Sequence, residues 1–172
     1  MTGTIILDRG ATALVIDDNL LTAWALEDSL RDIGFGEVIV AATAAAAAQV
    51  TAVRAPTIIV CDLDLGPLSE GGLAALVALD PAGTIPTLVY SAHSGPDIDR
   101  ALAAVRPHAL RLGKPASDAA LTAAIMQLVA LKSSAPPARP AAAEPAARPA
   151  VGGRDSRGPH DRQRSDNHQP DP

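Results

Sequence analysis

Six polar residues from four places in the chain could share one piece of chemistry. Two adjacent carboxylates stand at Asp17 and Asp18, and two more at Asp62 and Asp64. Ser91 offers a hydroxyl and Lys114 an ammonium. Carboxylates brought together repel, so a group of three needs a proton or a cation among them. Hard oxygen ligands in an incomplete cage favour Mg2+, which keeps some waters and also takes a phosphoryl oxygen. A carboxylate can itself accept a phosphoryl group covalently. The transferring group then needs its equatorial oxygens neutralised by metal, hydroxyl and cation. Acid pair, acid, serine and lysine make a complete aspartyl-phosphate site, provided the fold gathers them.

The elements that would gather them are legible in the apolar pattern. Residues 11–17 (ATALVID) read as a buried strand that ends in carboxylates. Residues 19–33 read as a helix with Ala23, Leu26, Leu30 and Ile33 on one face, stopped by Gly34 and Gly36. A second strand covers 37–41, and an Ala-rich helix covers 44–54 up to the Ala55-Pro56 step. Residues 57–61 (TIIVC) are the most β-branched run and end at Asp62. The loop GPLSEGG leads to a helix over 73–79, and 87–91 (TLVYS) form a fourth strand ending on Ser91. A helix over 97–105 has Pro96 at its start and Pro107 after it. A short fifth strand covers 109–112. Ser117 caps a last helix through Leu131, with Leu121, Ile125, Leu128 and Leu131 on one face.

Strand and helix alternate five times, which predicts an α/β fold: a parallel sheet with helices on both faces and right-handed crossovers. Five strands suit the doubly wound, flavodoxin-like order 2-1-3-4-5. Strands 1 and 3 are then neighbours, about 5 Å apart, which places Asp62 near Asp17 and Asp18. All the polar residues fall on the carboxyl edge of the sheet, where such folds bind ligands.

Composition narrows the function. The chain has 172 residues, a formal net charge of −5, 2% aromatic residues and one cysteine. That balance argues against a nucleic-acid binder, which would carry a basic face or aromatic stacking platforms. A lone Cys61 excludes a disulfide framework and a multi-cysteine zinc site. The opening residues MTGTIILDRG lack the regions of a leader, and the Ala-rich run 38–50 is too short to span a bilayer. No membrane association and a cytoplasmic location are the expectation. Residues 133–172 hold eight of the fifteen prolines and no Leu, Ile, Phe or Met. They read as a disordered Pro/Ala/Arg-rich tail after a domain over 10–132.

The stretches LVIDDN (14–19), TIIVCDLDL (57–65), LVYSA (88–92) and LGKPAS (112–117) give the chain its family resemblance. It resembles the receiver domain of two-component response regulators, of the single-domain, stand-alone type. The resemblance implies that Asp62 is the phosphoacceptor. It implies that Asp18, assisted by Asp17, holds Mg2+ with Asp62 and the backbone carbonyl of Asp64. Ser91 would be the switch hydroxyl and Lys114 the phosphoryl-stabilising cation, with a cis Lys114-Pro115 bond. Asp64 and His93, two places past the acceptor and the switch hydroxyl, would tune phosphoryl lifetime. The implied partners are a sensor histidine kinase or histidine phosphotransferase and a downstream protein on the face of helix 4, strand 5 and helix 5.

Two positions depart from the family pattern. Receivers usually carry proline four residues after the acceptor; here that position is Gly66 and the proline is Pro67. They usually carry Tyr or Phe three residues before the lysine, and here Arg111 holds that switch position. An arginine cannot enter an apolar slot cheaply, which predicts weak or unconventional switching at strand 5. Two rival functions share these residues. One is a receiver-fold interaction domain that is never phosphorylated. The other is a phosphatase, because CDLDLG is similar to the DxDx signature of haloacid-dehalogenase-type enzymes. In those enzymes the DxDx strand comes first and the acidic pair last, the reverse of the order here.

Overall fold

A computed structural model of the chain describes residues 10–65 and 71–134. The expected loop around Gly66 and Pro67 lies outside the described residues, as does the expected tail from 135 onward. Among the described residues five strands alternate with five helices. They are β1 (Thr12–Ile16), α1 (Leu20–Ile33), β2 (Glu37–Ala41), α2 (Ala44–Val53), β3 (Ile58–Cys61), α3 (Gly71–Leu79), β4 (Thr87–Ser91), α4 (Pro96–Val105), β5 (Leu110–Gly113) and α5 (Asp118–Ser134). All pairings are parallel, in the order β2-β1-β3-β4-β5 that the alternation predicts. Ile16 stands opposite Cys61, Cys61 opposite Val89, and Ser91 opposite Gly113, so the carboxyl ends of β1, β3, β4 and β5 lie along one edge of the sheet, with β4 and β5 reaching two residues further.

The period-two alternation of the strands divides the core in two. Ala13, Val15, Ile58, Val60 and Leu88 face α1 and α5, where they meet Ala23, Leu26, Leu30, Leu121, Ile125 and Leu128. Leu14, Ile16, Ile59, Cys61 and Val89 face the other way, onto Ala47 of α2, Ala75 and Leu76 of α3, and Leu102 of α4. Burying a large aliphatic side chain is worth roughly 2 kcal/mol, so these two layers hold the sheet edge in place.

Three local expectations are corrected. β5 begins at Leu110 because the Ala109 amide is used in a turn, donating to the Arg106 carbonyl (3.0 Å). α5 runs on to Ser134. Leu131 is not on the buried face: it is 50% exposed. Two successive three-residue steps rotate it about 120° away from Ile125, off the sheet-facing stripe.

At the amino edge of the sheet Arg106 is buried. It donates to the Leu76 carbonyl and faces Asp80 at 4.0 Å. Asp80 also accepts from the Ile85 amide (2.7 Å) and the Thr84 hydroxyl (3.2 Å), so the ends of α3 and α4 are tied to the start of β4. Among the described residues no helix is long and apolar enough to cross a membrane.

Candidate functional site

Each polar residue is placed by the backbone that precedes it. The Asp17 amide donates to the Ala41 carbonyl (3.1 Å) and the Asp62 amide to the Ile16 carbonyl (2.8 Å), so both acids continue the ladder one residue past their strands. Asn19 then caps α1, its side chain accepting from the Leu21 and Thr22 amides. This stops the chain from carrying Asp18 away. The Asn19 amide in turn donates to Asp17 Oδ1 (2.9 Å). α1 leaves Leu20, Leu21 and Trp24 exposed on its first two turns.

The result is an acid pocket at the junction of β1 and β3. Carboxylate oxygens of Asp17, Asp18 and Asp62 lie within 4.8 Å of one another. Asp17 and Asp62 are buried and Asp18 is exposed. Lys114 reaches across from the end of β5, its Nζ donating to Asp17 Oδ2 at 2.6 Å and Asp62 Oδ2 at 2.7 Å. Its own amide is held by the Ser91 carbonyl (3.1 Å), and the Lys114-Pro115 bond is cis, as expected. Ser91 is fully buried at the end of β4, with its Oγ accepting from the His93 amide (3.2 Å).

Electrostatics follows from this geometry. Burial pushes the Asp62 carboxyl up, but hydrogen bonds from Lys114, the Asp64 amide and Ser91 outweigh it and hold the group below its ordinary range. Burial pulls the Lys114 ammonium down, but Asp17 and Asp62 outweigh that and hold it above its ordinary value. Both groups are therefore charged at neutral pH. The donor set is all hard oxygen, with two carboxylates sharing one ammonium and a third exposed beside them. That set fits Mg2+. Asp64 is exposed, and its amide donates to Asp62 Oδ1 (3.2 Å), so its side chain takes no place among the three acids.

Arg111 does not fill an apolar slot. It stands on the α4 side of β5, and its Nε donates to Asp99 Oδ1 of α4 at 2.7 Å. Asp64 and His93 both line an open groove between α3 and α4, together with Leu73, Ile98 and Leu102.

Two features of the site have no specific signal in the sequence. The ring of Tyr90 lies 5.3 Å from Lys114 Nζ, and its hydroxyl accepts from the Ala116 amide (3.3 Å). Strand alternation alone sends residue 90 away from Ser91, so nothing local signals it. Gly72 packs against the backbone of the acid strand, and a Cβ there would overlap the Asp62 carbonyl. The tandem glycines of the loop were a visible but unspecific signal. Gly72→Ala is therefore expected to lower stability by about 1–3 kcal/mol, read as the urea midpoint, because the obstacle is backbone and cannot swing aside. The Cys61 thiol is fully buried and donates to the Asp62 carbonyl (3.0 Å). Burial, then the charges of Asp62 and Asp17, push it up to about 12 against the opposing pull of Lys114. Iodoacetamide at pH 8 should leave the folded chain unmodified by mass spectrometry and alkylate it once guanidinium unfolds it.

No family model and no curated protein matches the chain. Solved structures do. The chemotaxis protein CheY4 of Vibrio cholerae is 23% identical with a TM-score of 0.60, over 69% of this chain and 98% of that one. A CheY-like response regulator receiver domain protein of Methanospirillum hungatei is 18% identical with a TM-score of 0.63, over 72% and 96%. A response regulator receiver protein of Sinorhizobium medicae is 24% identical with a TM-score of 0.60, over 72% and 97%. The likeness is one of fold, and the chain has the receiver fold.

Proposed function

We propose that the chain is a response-regulator receiver that takes a phosphoryl group onto Asp62, from the phosphohistidine of a sensor histidine kinase or a histidine phosphotransferase. The observation that carries this reading is the acid pocket, where Asp62 stands within 4.8 Å of Asp17 and Asp18 while Lys114 bonds two of the three. An Asp62 oxygen attacks phosphorus in line. The new O–P bond forms as the P–N bond breaks, and the electron pair leaves with the imidazole nitrogen, which takes a proton. Lys114 and the Ser91 hydroxyl then face the equatorial phosphoryl oxygens and offset their charge. Mg2+, held by Asp18, Asp17, Asp62 and the Asp64 carbonyl, would neutralise the remaining phosphoryl charge and relieve the repulsion among the acids. Water attack on phosphorus later releases inorganic phosphate and restores the carboxylate. Asp64 and His93, at the rim, set how easily that water arrives.

The output surface in this reading is the face of α4, β5 and α5, for a downstream protein. Arg111 is held on that face by Asp99, so β5 and α4 change little on phosphorylation. Amide exchange with and without beryllofluoride should show small differences over 109–112. Large protection changes there would mean that the ordinary switch operates despite Arg111.

Incubation with labelled acetyl phosphate and Mg2+ tests the assignment. A labelled chain with slow loss of label supports it. Absence of label would make this an interaction domain on a receiver fold. Multiple turnover of small phosphate esters would make it a phosphatase.

A further inference from the structure

We infer that Tyr90 is the positioning residue for Lys114. The inference rests on the phosphoacceptor reading for its consequence, but not for its geometry. Lys114 has four rotatable side-chain bonds and must hold its ammonium between two carboxylates. Its backbone is held by the bond from its amide to the Ser91 carbonyl (3.1 Å). Tyr90 supplies a second support in two ways. Its ring lies 5.3 Å from Nζ, inside the range in which an aromatic face attracts an ammonium. Its hydroxyl accepts from the Ala116 amide (3.3 Å), two residues beyond Lys114, and so pins the loop that carries the lysine.

Tyr90 is well placed to do this. It sits in the middle of the ladder, opposite Leu112 of β5, and packs against the α1 and α5 core. Ser91, its neighbour, points to the other face of the sheet and ends fully buried beside Asp62. Two consecutive residues of β4 therefore serve the same pocket from opposite faces. Ser91 serves it directly, and Tyr90 serves it by setting the lysine.

The test uses the full chain and the variants Tyr90→Leu and Tyr90→Phe, alone and with Lys114→Ala. Leu removes ring and hydroxyl; Phe removes the hydroxyl only. Tyr90→Leu should slow labelling by acetyl phosphate about fivefold, the factor that corresponds to an exposed cation–π contact. Tyr90→Phe should restore most of that loss. In the Lys114→Ala background Tyr90→Leu should slow labelling no further, because the residue it positions is gone. Side-chain proton spectra give a readout independent of phosphorylation. The ring-current shift of the Lys114 methylene protons next to Nζ should persist in Tyr90→Phe and vanish in Tyr90→Leu. Labelling of Tyr90→Leu at the wild-type rate would overturn the inference, as would an equal loss in the Lys114→Ala background. If the wild-type chain takes no label, the phosphoacceptor reading falls, and the proton shift alone decides on Tyr90.

Discussion

Asp62→Asn is expected to abolish labelling by acetyl phosphate entirely. The substitution keeps the shape of the side chain and replaces an anionic oxygen with an amide that does not attack phosphorus at a useful rate. The hydrogen bond from the Asp64 amide to Oδ1 (3.2 Å) can survive, because an Asn carbonyl accepts as well. The chain should therefore remain folded, with an unchanged circular dichroism spectrum. Asp17 would still accept from Lys114, so the ammonium keeps one partner. Excess EDTA should stop labelling of the wild-type chain for a different reason, since Asp18 and Asp62 are then left with no divalent ion. Asp18→Ala should weaken Mg2+ binding without unfolding, because it removes one of three repelling charges. Undiminished label on Asp62→Asn, or label that survives EDTA, would remove Asp62 from the acceptor role.

Lys114→Ala should have the second largest effect, in two measurements. Labelling should slow about a hundredfold, as when one fixed donor to a developing phosphoryl charge is lost. Stability in EDTA should fall by about 2 kcal/mol, less than for a fully buried pair because the Lys114 side chain keeps 17% of its exposure. Mg2+ should return most of that loss and should bind more tightly than to wild type, because the ammonium no longer competes for Asp17 and Asp62. The metal-free wild type also carries a pH signature. Asp62 is held low, so its contribution is complete above the ordinary carboxylate range and is lost as pH falls through its lowered value. Lys114 is held high, so its contribution is complete below the ordinary lysine value and is lost as pH rises through the raised one. The pair thus stabilises across the neutral range and fails at both ends. A destabilisation by Lys114→Ala that Mg2+ leaves untouched would mean that the lysine and the metal do not share the acids.

The sheet order and the acid pocket were legible because both rest on strand ends. A parallel sheet puts every carboxyl end on one edge, so Asp17, Asp18, Asp62, Ser91 and Lys114 could be gathered without knowing a single side-chain angle. What escaped depends on distances between faces. The Arg111–Asp99 bond requires the phase of α4 against β5. The ring of Tyr90 near Lys114 requires the path of the loop that joins β5 to α5. The burial of Arg106 requires knowing that Asp80 and the Leu76 carbonyl wait for it at the amino edge. Gly72 requires the closeness of α3 to the Asp62 backbone. Leu131 fell on the wrong face because a count of apolar steps ignores the drift of three-residue spacings.

The exposed Trp24 has a spectroscopic consequence. It is the one tryptophan in the chain, and it lies 55% open to solvent on the second turn of α1. Indole emission from the native protein therefore reports the polarity of the surface at the start of α1 and says little about the core. Unfolding changes it modestly, since the ring is already in contact with water. A macromolecule that covers this turn while facing Asp62 would move the emission to the blue without any added dye. The chain carries its own fluorophore on the helix that directly follows Asp17 and Asp18.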